Sequence, residues 1–128
     1  MMRRIADRTV LIVEPDAESR TELRATLEAD GYTVIATSGG DDALSLIDNP
    51  RIKLVVTELY LANRKSRCLV NAICAPPPRR RAKVLAYTRH AHARDRAWAA
   101  ASGADAYVLK KNGAARLLEV AGKLGGGR

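Results

Sequence analysis

Four polar residues each follow an apolar run, and together their types could do chemistry. Glu14 follows VLIV, Glu58 follows LVVT, Thr88 follows VLAY and Lys110 follows AYVL. Each run reads as a buried strand. In open parallel α/β sheets, ligands and chemistry gather at the carboxyl ends of the strands. Side by side, these ends would bring two carboxylates, a hydroxyl and an ammonium into one small pocket. The chemistry open to that set is the chemistry of charge. At about 4 Å and an effective dielectric of about 20, a carboxylate and an ammonium attract by ~4 kcal/mol before desolvation, which returns most of it. A lone acid after a strand would only begin a solvated loop; four such strand ends point to a site.

The elements that must position these residues alternate along the chain. Strands are predicted over 9–13, 32–36, 52–57, 82–87 and 106–109. The continuous apolar runs suit strands buried on both faces. Between them, helices are predicted from Asp16 to Gly31, over 41–48, over 66–74 and over 93–102, with a last one over 114–124. Asp16 is placed to cap the first helix, with Glu18 in its first turn, and Gly31 to close it. Leu23 and Leu27 share its inner face, as Ala43, Leu44 and Ile47 share that of the second helix, and Leu117, Ala121 and Leu124 that of the last. Asn49-Pro50 and Ala75-Pro76-Pro77-Pro78 are breaks. Strand and helix in strict alternation with short connections predict one parallel sheet with helices on both faces.

The 128 residues suit a single domain, 8–124, with tails at 1–7 and 125–128. Aliphatic residues and alanine must fill the core, since the chain has no Phe and one Trp. No apolar run approaches the ~20 residues of a membrane span. The start, MMRRIADRT, is basic without an apolar stretch, so no signal peptide is expected and the cytoplasm is the default compartment. Cys68 and Cys74 read as free thiols, with neither a CxxC nor a paired His to suggest a metal site. The net charge of +8 is uneven: residues 1–63 carry 7 Lys/Arg and 11 Asp/Glu, residues 64–128 carry 15 and 3. That asymmetry suits an acidic partner or a nucleic-acid surface. A general Arg and Ala bias of composition fits it equally well.

The motifs VLIVEPDAESR, GYTV, GGDDAL, the acid after the third strand, YT after the fourth and GADAYVLK, with the spacings between them, resemble the receiver domains of two-component response regulators (CheY-like). The resemblance spans about residues 8–124. It implies a flavodoxin-like, doubly wound five-stranded parallel sheet in the order 2-1-3-4-5. It also implies phosphoryl transfer from a phosphohistidine to an aspartate, with Mg²⁺ held by an acidic pair. By position, Glu14 matches the first acid of that pair and Pro15 the second. Glu58 matches the phosphoacceptor aspartate, Thr88 the hydroxyl that senses the phosphoryl group, Tyr107 the aromatic switch, and Lys110 the lysine that pairs with acceptor and phosphoryl oxygens.

Half of that constellation is altered. Glutamate at 58 pushes its carboxylate forward by about 1.5 Å. That is large where reacting atoms must sit about 3–3.5 Å apart and in line. Pro15 removes a carboxylate, and Asp16 is expected to face the helix rather than the pocket. Ala62 and Lys111 stand where prolines are usual, and Lys65-Ser66 where Asp-Gly is common. The expectation is an atypical, or pseudo-, receiver: not an enzyme, with no cofactor and weak or absent Mg²⁺ binding. Glu58 and Lys110 should form a direct hydrogen-bonded ion pair.

Such a domain would act as a protein-interaction module, with an acidic protein partner at the face built by the fourth helix (93–102), the fifth strand (106–109) and the last helix (114–124). Arg94, Arg96, Trp98, Lys111, Arg116 and Lys123 lie on that face. Trp98 either anchors an interface or fills the core, and partial burial is the expectation. Tyr107 is either half-buried packing or a switch. His90 and His92 read as solvated, and Arg79-Arg80-Arg81 as a solvated turn. Nucleic-acid binding through the basic half is the alternative of another class, and a conventional phosphorylatable regulator a third. No helix-turn-helix and few aromatic side chains support the former. The oligomeric state is open, with a dimer compatible.

Overall fold

Every residue of Thr9–Val13 is buried, which fits a strand with neighbours on both edges and cover on both faces. It is β1. In the computed structural model, residues 8–59 and 82–126 are described. The remaining strands are β2 (Thr33–Thr37), β3 (Ile52–Thr57), β4 (Lys83–Thr88) and β5 (Ala106–Leu109), and the helices are α1 (Ala17–Ala29), α2 (Gly40–Leu46), α3 (Ala93–Ala101) and α4 (Gly113–Ala121). The helix predicted over 66–74 lies outside the described residues, as do Ala62, Lys65-Ser66, both cysteines and Arg79-Arg80-Arg81.

The sheet is all parallel in the order β2-β1-β3-β4-β5. Alternation along the strands separates two cores. Val10, Ile12, Leu54, Val56 and Leu85 face Leu23 and Leu27 of α1 and Leu117 and Ala121 of α4. Leu11, Val13, Val55 and Val84 face Ala43 and Ile47 on the α2 side. A third cluster, Leu59, Ala86 and Ala99, takes Trp98 against its edge, so Trp98 is half-buried as expected.

Two predicted strands move one residue later, for reasons in the backbone. The predicted 32–36 is observed as Thr33–Thr37 because the Tyr32 N–H closes α1 instead, donating to Leu27 O at 3.1 Å while Gly31 N donates to Glu28 O at 3.0 Å. This paired closure needs Gly31 in the left-handed region, at φ 98°. The predicted 82–87 is observed as Lys83–Thr88 because Thr88 still pairs with Leu109. The second helix starts and stops one to two residues before the predicted 41–48, on a Gly39 N-cap. The last begins at Gly113, after a 3₁₀ turn at Lys110–Asn112, and passes at Gly122–Gly126 into a π-helical turn that reaches into the predicted tail. Among the described residues no helix is long and apolar enough to cross a membrane.

Candidate functional site

The register of the sheet builds the site. β1 and β3 pair with Val13 opposite Thr57, so the next residue on each, Glu14 and Glu58, are neighbours at the carboxyl end. The Glu58 N–H donates to Val13 O at 2.9 Å and fixes that alignment. β4 and β5 pair with Thr88 opposite Leu109, which sets Lys110 at the same end.

Lys110 reaches both acids. Its Nζ donates to Glu14 Oε1 at 2.8 Å and lies 3.2 Å from Glu58 Oε1. The expected Glu58–Lys110 pair is therefore present, but Glu14 takes the shorter contact. The side chains are 4%, 9% and 19% exposed for Glu14, Glu58 and Lys110, so the triad is nearly closed to water. The remaining carboxylate oxygens are also engaged. Glu14 Oε2 accepts the Asp16 N–H at 3.1 Å and Glu58 Oε2 accepts the Leu59 N–H at 2.7 Å. Burial alone would pull the lysine pKa down. The hydrogen bond and charge of Glu14, then the charge of Glu58, outweigh it, and Lys110 is held above its ordinary value.

The other predicted residues are placed as follows. Pro15 sits between the triad and α1 without a carboxylate to offer. Asp16 is exposed and caps α1, its Oδ2 accepting the Ser19 N–H at 2.8 Å, so it faces the helix. That hydrogen bond holds its carboxyl below the usual carboxylate range. Thr88 is fully buried at the end of β4. Its Oγ1 accepts the His90 N–H at 3.3 Å, and among the described residues no hydrogen bond joins it to Glu58 or Lys110. The Tyr107 hydroxyl donates to His90 O at 2.7 Å, and the Arg96 guanidinium lies 4.9 Å from its ring centroid. The main chain of His90 thus links Thr88 and Tyr107. His92 caps α3, accepting the Arg94 N–H on Nδ1 at 3.3 Å.

On the basic face, Arg94, Arg96, Lys111, Arg116 and Lys123 are all exposed. Arg116 and Lys123 both contact Glu119, at 3.0 and 3.6 Å. Sequence reasoning overlooked four contributors. Arg20 donates to Glu14 O at 2.8 Å and Pro15 O at 3.3 Å, clamping the loop between β1 and α1. Thr57 Oγ1 donates to Glu58 O at 2.9 Å. Tyr87 and Glu22 line a cleft beside the triad. Only Arg20 left a signal in the sequence, as a long donor within reach of loop carbonyls five and six residues before it.

Residues 10–121 match the family described as the response regulator receiver domain. This chain belongs to that family. The receiver is 28% identical over 109 residues to an uncharacterized 14.6 kDa protein of Leptolyngbya boryana, covering 85% of this chain and 83% of that one. A CheY-like receiver domain protein from Methanospirillum hungatei JF-1 matches with TM-score 0.77 and 26% identity, over 91% of this chain and 92% of its own. The receiver domain of a sensor histidine kinase from Pseudomonas aeruginosa PAO1, with magnesium coordinated in its active-site cleft, matches with TM-score 0.80 and 23% identity, over 91% and 95%. At that identity the likeness is one of fold. The five-stranded parallel sheet in the order 2-1-3-4-5 is common ground, and the chain is a receiver domain of the two-component signalling family.

Proposed function

We propose that this receiver signals without being phosphorylated and acts by contact with another protein. The observation that carries the reading is the Lys110 ammonium lodged between Glu14 and Glu58, at 2.8 and 3.2 Å. A lysine that serves phosphoryl transfer pairs with the incoming oxygens; here it already has two fixed anionic partners. Glu58 is held at both of its oxygens, by Lys110 and by the Leu59 N–H. A carboxylate so held, and about 1.5 Å further forward than an aspartate, is poorly placed for in-line attack. Glu58 then works as a fixed stand-in for an acyl phosphate.

The donor set does not suit Mg²⁺ either. The ion demands near-ideal octahedral oxygen ligands. Each oxygen of Glu14 and Glu58 already meets an N–H donor, Pro15 supplies none, and Asp16 is turned to the α1 N-terminus. Binding is therefore weak or absent, and no step of the proposed function runs through a metal. On this reading the domain turns over no substrate and works in the cytoplasm. Its partner presents Asp, Glu or phosphate to the face carrying Arg94, Arg96 and Lys111.

Intact mass after incubation with acetyl phosphate and Mg²⁺ tests the reading. The wild type gains no phosphoryl mass, and Glu58→Asp alone stays poor because the metal still lacks carboxylates. Glu58→Asp with Pro15→Asp recovers partial Mg²⁺ affinity and slow phosphorylation, since phosphoryl transfer is mainly positioning and charge neutralisation. Circular dichroism checks that the Pro15 change leaves the fold intact. Phosphoryl mass on wild-type Glu58 overturns the reading. A folded double mutant that binds no metal assigns the loss to further departures, at Ala62, Lys65 or Lys111.

A further inference from the structure

A cleft of about 270 Å³ opens beside the triad, between α1 and α4. Leu23, Leu117 and the ring of Tyr87 give it an apolar floor, Glu14 and Lys110 form its inner end, and Glu22 stands on its rim. Tyr87 lies on an interior strand, next to the fully covered Leu85 and Ala86, yet it is only partly buried. Among the described residues neither its hydroxyl nor the Glu22 carboxylate has a protein partner. Ser19 and Thr26 add hydroxyls to its wall, so the cleft is mixed, an apolar floor under several converging polar groups, and its volume suits a small ligand on the order of ten non-hydrogen atoms.

The charges decide what kind of ligand fits. Glu14 and Glu58 are two buried carboxylates against the single ammonium of Lys110, so the inner end carries an excess negative charge. Glu22 adds another at the rim. Arg20, another cation on α1, sits on the loop carbonyls of Glu14 and Pro15. Burial above all holds the Tyr87 phenol above its ordinary pKa, with Lys110 opposing and Glu14 and Glu22 adding smaller contributions. An anion entering here would meet two carboxylates and an ammonium already committed to both of its acids. A cation would meet two unpartnered acceptors and an aromatic face.

We propose that this cleft binds a small organic cation with an apolar body, an arylalkylamine in chemical class, with its ring on Leu23, Leu117 and Tyr87 and its ammonium on Glu22 and the Tyr87 hydroxyl. A ligand there touches Glu14 and Lys110, so occupancy would give the receiver an input that needs no phosphoryl group. The proposal stands whether or not Glu58 can be phosphorylated.

Titration of the full chain with phenethylamine, followed by amide NMR shifts, is the test, with phenylacetate and phenethyl alcohol as the anionic and neutral counterparts. The amine gives saturable shifts in the millimolar range, centred on Glu22, Tyr87 and Leu117. Loss of a partly exposed charge-assisted hydrogen bond makes Glu22→Gln bind about fivefold more weakly. Glu18→Gln, on the same helix but outside the cleft, binds as the wild type does. Because Glu22 is exposed, its substitution leaves the fold intact, and Tyr87→Phe is a second variant that weakens the amine without emptying the floor. No saturable binding up to the solubility limit, equal binding of phenylacetate, or an affinity indifferent to Glu22→Gln each overturns the proposal.

Discussion

At the scale of single residues, the extra methylene of Glu58 explains most of the site. The longer arm lets one oxygen turn back to the Leu59 N–H at 2.7 Å while the other stays 3.2 Å from Lys110. Lys110 then has two nearly buried acids to balance, and removing it leaves them facing each other. Lys110→Met should cost about 3 kcal/mol, the scale for stripping a partner from a buried ion pair, read from urea unfolding at pH 8. The lysine also sets an alkaline signature. Its folded pKa is raised, so its contribution is complete below the unfolded value of about 10.4 and is lost as pH climbs through the higher folded value. Wild-type stability should fall more steeply than that of Lys110→Met above about pH 10; parallel curves would mean that the ammonium contributes nothing there. Convergence of Glu14, Glu58 and Lys110 was legible in the sequence because each follows an apolar run. That Glu14 takes the shorter contact was not, since it depends on side-chain reach across paired strands.

At the scale of elements, local chemistry sets where helices begin and end, and here it also sets the strands. α1 and α3 close in the same way: Tyr32 N–H to Leu27 O at 3.1 Å and Ala104 N–H to Ala99 O at 3.0 Å, around Gly31 and Gly103 with positive φ. Each closure consumes the N–H of the residue after the glycine, so β2 starts at Thr33 rather than Tyr32. Apolar periodicity cannot see this, because Tyr32 is as buried as a strand residue, at 4% exposure. β3 and β5, by contrast, were readable to the residue, since clear breaks flank their apolar runs. The Asp16 cap was legible from its type and place. Asp16→Ala should lower stability by losing the N-cap, seen as a small downward shift in the urea midpoint with unchanged slope. Leu27→Ala, on the fully buried face of α1, should cost about 3 kcal/mol. A smaller loss than that for the cap would mean that α1 contributes little to the core.

At the scale of the whole molecule, the sequence exaggerates the basic face. Five cations were assigned to it, but Arg116 and Lys123 share Glu119, and Arg96 lies over Tyr107. Their company holds the Glu119 carboxyl below the usual range, through the Arg116 hydrogen bond first and the Lys123 charge next. Arg94 and Lys111 have no acidic partner among the described residues. A labelled Asp/Glu-rich peptide and a random duplex, followed by fluorescence anisotropy across a salt series, should therefore separate the two partner classes. We expect Arg94→Glu to weaken the peptide more than Arg116→Glu does, because Arg116 is already bonded within the chain. Glu119→Gln should strengthen it about threefold at low salt, by freeing two cations at an exposed site. Both effects should fade as the Debye length drops toward about 3 Å near 1 M salt. Duplex binding should be weak and shallow in salt, since few cations on this face are free to displace counterions. A duplex that outcompetes the peptide, with a slope equivalent to six or more phosphates (about −5 in log–log form), would hand the basic half to nucleic acid and remove the protein partner from this face.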